Sequence, residues 1–304
     1  MGAFPLVIGN VPHRRWSGGP AGPLLCLPCL VVLAVFVYWP TIRTAYLSLH
    51  STDLFGRPRR FVGGANFATL VTDPTLRQVL VTTLVVAALS TALATGAALA
   101  AALLLRTAAP RGGRIASLVL SLPFAYSTAA ASATFAALFS PVVGAIARLF
   151  TSFTGDPGPG WLTSPFWAVA GIVVATAWYE FGFTLLVLLA ALSRLDREVL
   201  EAAALDGAGE LRTAWAVVVP ALRPSLLFVV VTQTVTGLQI FTQVQVITKG
   251  GPGNATHTVV YELYRRAFGE GLPQYGIASS LALLLLVAVV AITAAQFRLA
   301  RSWT

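Results

Sequence analysis

Residues 199–224 read VLEAAALDGAGELRTAWAVVVPALRP. The stretch contains three carboxylates, two arginines, two glycines and two prolines, yet long apolar runs lie before and after it. Just upstream, Ser193 or Asp196 can cap a helix, and Glu198 would lie in its first turn, where the helix dipole favours a carboxylate. The sequence therefore predicts a helix that begins between the two apolar runs and continues through the alanines.

The second half of the stretch predicts a turn and another short helix. Gly207 and Gly209 permit a sharp turn, because glycine tolerates left-handed backbone angles. A helix from Glu210 to Val218 would follow, and Pro220 and Pro224 would end it. The resulting helix–turn–helix hairpin is either a plain interfacial loop with alanines that favour helix, or a surface that docks into a groove of another protein.

Composition places this hairpin in a membrane protein. Hydrophobic residues make up 57% of the 304 residues, charged residues only 10%, and mean hydropathy is +0.79. Soluble domains carry about a quarter charged residues. Runs of roughly 20 apolar residues cross a bilayer as helices, because backbone polar groups must be satisfied inside lipid. We expect an all-α, polytopic fold forming a single transmembrane domain over residues 1–304, with a loop over 193–223 and six spans at about 24–42, 79–105, 115–139, 165–192, 224–247 and 277–297.

Six spans place both termini on one side of the membrane. With both termini in the cytoplasm, slightly more basic residues fall inside, and the loop over 106–114 supports this orientation. Arg57, Arg59 and Arg60 would then lie outside and argue against it. The net charge of +9 is typical of contact with anionic membrane lipid, and the scattered arginines predict no nucleic-acid partner.

The hairpin carries a specific resemblance. The sequence EAAALDGAG followed by VVVPALRP resembles the EAA loop of ATP-binding-cassette importer permeases, although Val219 stands where that family usually has leucine. The resemblance implies that the loop is a coupling helix, which sits in a cleft of a cytoplasmic ATPase subunit and transmits its closure to the membrane helices. The matching positions are Glu201, Ala202, Ala203, Asp206, Gly207, Ala208, Gly209 and Pro220.

Other stretches resemble the carbohydrate-type branch of the same family. They are residues 46–73, 178–192 and 249–268, the last with Gly250-Gly251-Pro252 at its centre. The likeness implies a polar solute, with glycerol-3-phosphate or a glycerophosphodiester as the first expectation and a disaccharide or oligosaccharide as the alternative. It also implies a second homologous permease subunit, two ATPase subunits and an external solute-binding protein in a bacterial inner (plasma) membrane.

The sequence predicts a non-catalytic subunit. The single lysine, Lys249, follows Thr248 and not a P-loop glycine, so no Walker A motif is present. We therefore expect no cofactor on this chain, with ATP and magnesium bound by the partner ATPase. The three histidines are isolated in the sequence, which predicts no metal site. An ion-coupled secondary transporter is the alternative class. Ion coupling needs charged residues inside the membrane spans, and Glu180 is the only one that the sequence offers.

Two groups of residues are candidates for a solute pathway. Thr232, Thr236, Gln239 and Gln243 follow the spacing of one helix face, with Gly237 as a possible kink beside them. Such a stripe either bonds neighbouring helices or lines a polar path whose amides suit solute hydroxyls, and we expect the path. The second group is Trp178, Tyr179 and Glu180, where the aromatic rings could stack on a polar solute and the carboxylate lines the path or is structural. No lysine or arginine lies in the middle of a span, so a phosphate ester would need helix amino termini, hydroxyls or the partner permease subunit.

Overall fold

The computed structural model describes residues 21–107, 110–141, 144–155, 158–269 and 271–301. The chain divides into two units after Thr44. The first unit contains most of one helical stretch, and the second contains the remaining elements. In chain order the elements are α1 (Ala21–Leu33), the π-helix π1 (Ala34–Tyr38), α2 (Trp39–Ser48), β1 (His50–Thr52), β2 (Pro58–Phe61), α3 (Ala65–Thr72), α4 (Pro74–Thr107), α5 (Pro110–Ala125), α6 (Thr128–Leu138), α7 (Ala145–Thr154), α8 (Pro165–Leu192), α9 (Arg197–Leu205), α10 (Glu210–Thr213), π2 (Ala214–Val218), α11 (Val219–Ala221), α12 (Arg223–Leu238), π3 (Val244–Thr248), α13 (Val259–Phe268) and α14 (Tyr275–Arg301).

The predicted all-α membrane fold is confirmed, with differences in its spans. Within the described ranges, four helices are long and apolar enough to cross a membrane: Leu25–Ser48, Pro74–Thr107, Pro165–Leu192 and Tyr275–Arg301. The count reaches six if each of two bent helix pairs is one span. The two bent pairs correspond to the third and fifth predicted spans.

The third predicted span is not a straight helix. Gly112–Ala125 and Thr128–Leu138 meet at an angle of 96°. Pro123 lies inside α5 near the break, and a proline inside a helix removes a backbone hydrogen bond. Ser127 then caps α6 by accepting a hydrogen bond from the Ala130 N–H at 3.2 Å. A proline and a capping serine therefore break a run that hydropathy alone shows as continuous.

The fifth predicted span, 224–247, ends too late. Helix α12 ends at Leu238, and the chain resumes a helical path only at residue 242, leading into π3. At its other end, α12 pairs with Glu210–Ala221 across a bend of 68°. The expectation that Pro220 and Pro224 end the second hairpin helix is also wrong. The helical path continues from π2 through Pro220 and ends at Ala221, and Pro224 lies in the first turn of α12, where a missing N–H costs no helical hydrogen bond.

A two-stranded sheet, which the sequence analysis does not predict, interrupts the helices. Strands β1 and β2 pair antiparallel, with His50 opposite Phe61 and Ser51 opposite Arg60. The Asp53 carboxylate accepts the Arg57 N–H at 2.8 Å and the Phe55 N–H at 2.9 Å. This pattern fixes the turn between the two strands.

Helices α4 and α8 form the centre of the second unit. Ala98 and Ala102 of α4 are fully buried against Leu185 and Leu188 of α8. Small side chains let helix backbones approach closely, which is how helices associate in lipid. Helix α12 packs on the same α4, and these contacts position the hairpin and the polar side chains described next.

Candidate functional site

The first arm of the hairpin forms as the sequence predicts. The Asp196 carboxylate caps α9 by accepting the Glu198 N–H at 3.0 Å. Gly207 has a φ of +73°, in the left-handed region that favours glycine. The Ala208 N–H donates to the Ala203 carbonyl at 3.0 Å and closes the turn. Gly209 has a φ of −67° and is the N-cap of α10, so only Gly207 provides the left-handed turn.

The second arm is longer than predicted. It runs from α10 through the wide turn of π2 to α11, and the Thr213 hydroxyl donates to the Ala208 carbonyl across the bend at 3.4 Å. Across both arms, the hairpin exposes large apolar side chains beside its charged ones. Leu205 is 90% exposed, Leu211 is 74% exposed, and Trp215 is also exposed. Exposed apolar patches of this kind mark contacts with other proteins.

The structure brings the predicted coupling residues together on this hairpin. Ala203 and Ala208 are half-buried on its inner side. Pro220 lies apart from the turn, in α11. The remaining predicted coupling residues are exposed on the hairpin: Glu201, Ala202, Asp206, Gly207 and Gly209.

An ion pair that the sequence analysis missed ties the hairpin to the helix core. Arg106 at the end of α4 donates to the Glu210 carboxylate of α10 at 2.6 Å. The Arg106 side chain is largely buried, whereas Glu210 is mostly exposed. The two residues are 104 positions apart in the sequence, so no local pattern indicates the pair.

The predicted stripe on the fifth span is only partly present. Thr232 and Thr236 lie on α12 and donate to the carbonyls of Phe228 and Thr232 at 2.8 and 3.1 Å. Gln239 is exposed in the turn after α12, and Gln243 is buried in the following segment. The expectation of one continuous face from Thr232 to Gln243 is therefore wrong, because the helix ends between its members.

Gly237 lies where α12 packs closely against α4. A Cβ at this position would lie 2.9 Å from the Ala87 Cα of α4, which is closer than real side chains come. The chain bends only after Leu238, where α12 ends. The expected kink at Gly237 is thus wrong, and the glycine lets α12 approach α4.

Trp178 lines a cavity beside the break between α5 and α6. The cavity has a volume of about 430 Å³, and Tyr126, Thr134 and Phe181 also line it. The Trp178 ring stands edge-on to Tyr126 at 6.1 Å and to Phe135 at 5.4 Å between centroids. Tyr126 and Thr134 were missed by sequence reasoning because their position depends on the helix break.

Glu180 is only 2% exposed, and neither of its carboxylate oxygens has a hydrogen-bond partner among the described residues. Gln233 of α12 donates from Nε2 to the Glu180 carbonyl at 3.1 Å and to the Thr184 hydroxyl at 2.7 Å. Tyr179 beside it is half-buried. Gln233, a residue outside both predicted pathway groups, therefore links α12 to the backbone at Glu180.

A charged cluster holds the segment between π3 and α14. Burial would raise the pKa of Glu262, but hydrogen bonds from His257, Arg265 and Arg266 outweigh it and hold that pKa well below its usual range. The Glu262 oxygens lie 3.0 Å from His257 Nδ1, 2.9 Å from Arg265 and 2.7 Å from Arg266. Arg266 also reaches Asp73 at 3.6 Å. The spacing of these residues was a usable local signal, since Glu262, Arg265 and Arg266 share a helix face.

Threonine hydroxyls join the same segment to α4. Thr83 accepts the Val259 N–H at 2.9 Å, and Thr82 donates to the Ala255 carbonyl at 3.3 Å. No group of three or more histidine, cysteine or acidic residues within the described ranges could hold a metal ion. The ion pairs of Glu262 with His257, Arg265 and Arg266 join the loop after π3 to α13.

Comparison with known proteins gives a consistent result. Residues 112–304 match the family described as binding-protein-dependent transport system inner membrane component. The chain is 32% identical over 283 residues to the sn-glycerol-3-phosphate transport system permease protein UgpA of Agrobacterium fabrum. It is 34% identical over 280 residues to UgpA of Brucella abortus, and 33% identical over 278 residues to UgpA of Yersinia enterocolitica. Each alignment covers 90% of this chain and 92% of the relative.

Two solved structures share the fold. One is a bacterial ABC transporter involved in the import of the acidic polysaccharide alginate, with a TM-score of 0.79, 20% identity, and coverage of 93% of this chain and 95% of that chain. The other is a bacterial alginate ABC transporter in complex with an alginate pentasaccharide-bound periplasmic protein, with a TM-score of 0.80, 19% identity, and coverage of 93% and 94%. Taken with the family match and the relatives above 30% identity, these findings show that the chain belongs to the binding-protein-dependent transport system inner membrane components, as an ABC importer permease of the carbohydrate type.

Proposed function

We propose that this permease subunit imports a polar solute with energy from ATP hydrolysed by a partner subunit. The observation that carries the proposal is the hairpin of α9 to α11, whose leucines at positions 205 and 211 are exposed beside the Gly207 turn. Such a surface suits a cleft in a cytoplasmic ATPase. ATP and magnesium would be bound by that ATPase, and this chain would hold no cofactor.

The proposed transport cycle is alternating access. ATP-driven closure of two ATPase subunits would move the hairpins of this chain and of a second homologous permease subunit. The ion pair of Arg106 with Glu210 would pass that motion to α4, the helix on which α8 and α12 pack. An external solute-binding protein would then release its solute into the opened path. Docking of the hairpin on a cytoplasmic ATPase also requires both termini to be cytoplasmic if six spans are present.

For the solute, we propose glycerol-3-phosphate or a glycerophosphodiester. The named activity of three relatives at 32 to 34% identity supports this choice. The cavity beside Trp178, with the rings of Tyr126 and Trp178 and the hydroxyl of Thr134, suits a small solute with C–H and O–H faces. A disaccharide or oligosaccharide is the second candidate, since the same cavity lining would also suit a sugar ring.

Substitution of Gly207 tests the coupling role. Gly207→Val should abolish ATP-driven uptake and solute-stimulated ATPase activity in proteoliposomes that contain the assembled importer, while the subunit is still made. Gly155→Val is the matched control, because Gly155 also has a left-handed φ, of +76°, with open space around its Cβ position, but lies after α7. Normal uptake by the Gly207 variant, or equal loss in both variants, would contradict the coupling role.

A competition assay in the same proteoliposomes tests the solute. Unlabelled glycerol-3-phosphate should displace labelled glycerol-3-phosphate during ATP-driven uptake, and maltose should not. The reverse result would favour a sugar. Uptake by the purified chain alone without ATP would instead support the ion-coupled alternative.

A further inference from the structure

The two-stranded sheet and its turn, residues 50–61, form a β-hairpin at the end of α4 that is opposite to the coupling hairpin. Asn66 of α3, a short helix directly before α4, donates from Nδ2 to the His50 carbonyl of β1 at 3.1 Å. At the other end of α4, Arg106 pairs with Glu210 of the coupling hairpin. Because α4 is long and apolar enough to cross a membrane, the two hairpins lie at opposite membrane faces.

Contacts with α14 place the β-hairpin where that helix enters the bilayer. Gly56 lies in the turn, and a Cβ at this position would lie 3.3 Å from the ring of Tyr275, the first residue of α14. A Cβ at Gly276 would lie 2.5 Å from the His50 carbonyl oxygen, so only glycine fits between α14 and β1. Since α14 is a candidate span and tyrosines are enriched at membrane interfaces, the β-hairpin lies at the level of the lipid headgroups.

The turn of the β-hairpin exposes two large apolar side chains. Leu54 is 54% exposed and Phe55 is 82% exposed, and the backbone of the turn is held by hydrogen bonds to the Asp53 carboxylate. The apolar surface continues beside Tyr275, where the exposed ring of Phe268 stands 6.5 Å away between centroids. At the level of the headgroups such side chains can enter the apolar layer, as the apolar face of an interfacial helix does.

The β-hairpin is also strongly basic. Arg57, Arg59 and Arg60 are exposed, and none of them forms an ion pair with a carboxylate among the described residues. Asp53 is the one acidic residue in 50–61, and the hydrogen bond from the Arg57 N–H lowers its pKa. The three arginines are also those that the positive-inside rule does not account for if the termini are cytoplasmic. Their guanidinium groups are therefore available to an anionic partner outside the chain.

We propose that the β-hairpin binds anionic phospholipid in the leaflet opposite the coupling hairpin, with Leu54 and Phe55 inserted below the headgroups and the three arginines bonded to lipid phosphates. A guanidinium group donates two parallel hydrogen bonds to phosphate oxygens, and such charge-assisted bonds are stronger than neutral ones. Insertion of the apolar side chains and pairing of the arginines support each other, because both hold the turn at the headgroup layer. The lipid contact does not depend on ATP-driven import, and under the proposed function the leaflet is the external one.

An acidic surface of the external solute-binding protein is the competing partner, and two observations favour lipid. That protein must release its solute at the path, whose candidate cavity lies between α5, α6 and α8, whereas the β-hairpin packs on α3 and α14. An exposed leucine and phenylalanine at the end of a span also suit the acyl chains of lipid better than a charged protein surface.

The depth of a nitroxide spin label at position 54 tests the proposal. The label is attached to Leu54→Cys in a chain that also carries Cys26→Ser and Cys29→Ser, and the assembled importer is reconstituted in vesicles. In vesicles that contain phosphatidylglycerol, the accessibility of the label to oxygen and to a water-soluble nickel chelate should place it about 5–10 Å into the headgroup region. In vesicles of phosphatidylcholine alone, which carry no net charge, the label should become about two-fold or more accessible to the nickel chelate. Equal depth in the two lipids, or a label in water in both, would overturn the proposal.

Removal of the arginines provides a second measurement in the phosphatidylglycerol vesicles. A triple variant of the β-hairpin should move the label toward water as far as neutral lipid does: Arg57→Gln, Arg59→Gln and Arg60→Gln. The matched control changes three exposed arginines outside the β-hairpin, so that the net charge falls equally: Arg43→Gln, Arg77→Gln and Arg148→Gln. The control should leave the depth unchanged, and a sizing column checks that both variants assemble. Equal shifts in the two triple variants would show that the position of the arginines does not matter, which contradicts the proposal.

Two further results separate the lipid contact from other assignments. Shielding of the label only after the solute-binding protein is added would assign the β-hairpin to that protein and overturn the lipid contact. ATP-driven uptake in the same vesicles keeps the two proposals of this article apart. If uptake is normal but the label stays in water, only the lipid contact fails. If the label is inserted but ATP drives no uptake, only the proposed function fails.

Discussion

At the scale of single residues, Glu262 is a buried carboxylate that forms ion pairs with three basic side chains. Its side chain is fully buried, and three basic side chains bond it. Removing one partner of a buried charge pair leaves the other charges uncompensated, which costs more than the pair contributes. Arg265 is almost half exposed, so solvent reduces that cost.

Glu262→Gln should therefore lower the free energy of unfolding by about 2 kcal/mol or more. Thermal unfolding of the purified chain in detergent measures the change. Glu210→Gln is the control, since its ion pair is mostly exposed and should contribute about 0–1 kcal/mol. Equal shifts in the two variants would show that burial of Glu262 does not matter.

The same carboxylate predicts an acid-sensitive fold. Hydrogen bonds hold the pKa of Glu262 below its ordinary value of 4.5, so below about pH 4.5 the unfolded chain binds more protons than the folded chain. The stabilisation is fully present above that pH and is lost as the pH falls below it. A series of melting temperatures from about pH 7 to about pH 3 should fall more steeply for the wild type than for Glu262→Gln. Parallel curves would contradict this assignment.

At the scale of helices, two glycines inside helices differ in the space around them. Gly237 of α12 abuts the α4 backbone, whereas Gly96 of α4 faces open space. In the isolated chain, Gly237→Ala should destabilise the fold by about 1–3 kcal/mol through overpacking. Gly96→Ala should be neutral or stabilising by about 0.5–1 kcal/mol, because alanine favours helix. Chemical unfolding of both variants measures the difference, and a loss of stability in Gly96→Ala would show that the space at Gly96 is not open.

Local signals in the sequence were sufficient for the first arm of the hairpin and for the turn at Gly207. Asp196 accepts a hydrogen bond from an N–H two residues away, and Gly207 adopts a left-handed φ that glycine tolerates. Both the helix cap and the turn can therefore be predicted from neighbouring residues. The break before Ser127 was equally local, but it lies in an uninterrupted apolar run, and hydropathy carries no information on helix direction. The end of α12 at Leu238 was missed for the same reason.

Contacts between distant elements could not be predicted from one sequence. Gln233 meets Thr184, and Val259 meets Thr83, only because α12 and α13 pack on helices that come much earlier in the chain. The predicted polar stripe failed because it assumed that one helix continued through Gln239. The candidate pathway therefore needed the structure, as did the second arm of the hairpin, whereas the first arm and its turn did not.

At the scale of the whole molecule, the pair of Arg106 with Glu210 is the ionic contact between hairpin and core in the part of the chain that the structure describes. Either charge reversal alone, Arg106→Glu or Glu210→Arg, should reduce solute-stimulated ATPase activity of the assembled importer by about two- to five-fold, the range expected for one partly exposed pair. The double reversal should restore it. Failure of the double variant to recover, with both subunits present, would show that the pair does not transmit the motion.

The exposed leucines of the hairpin have a consequence for the life of the subunit in the cell. Leu205 is almost fully exposed in the chain alone, as is typical of surfaces that chaperones and proteases recognise. If the proposed ATPase covers this surface, a permease made without it would present the surface continuously, so we expect it to be degraded faster than the assembled subunit. Proteolysis of any permease that remains unassembled would then keep the amounts of the subunits in the membrane matched.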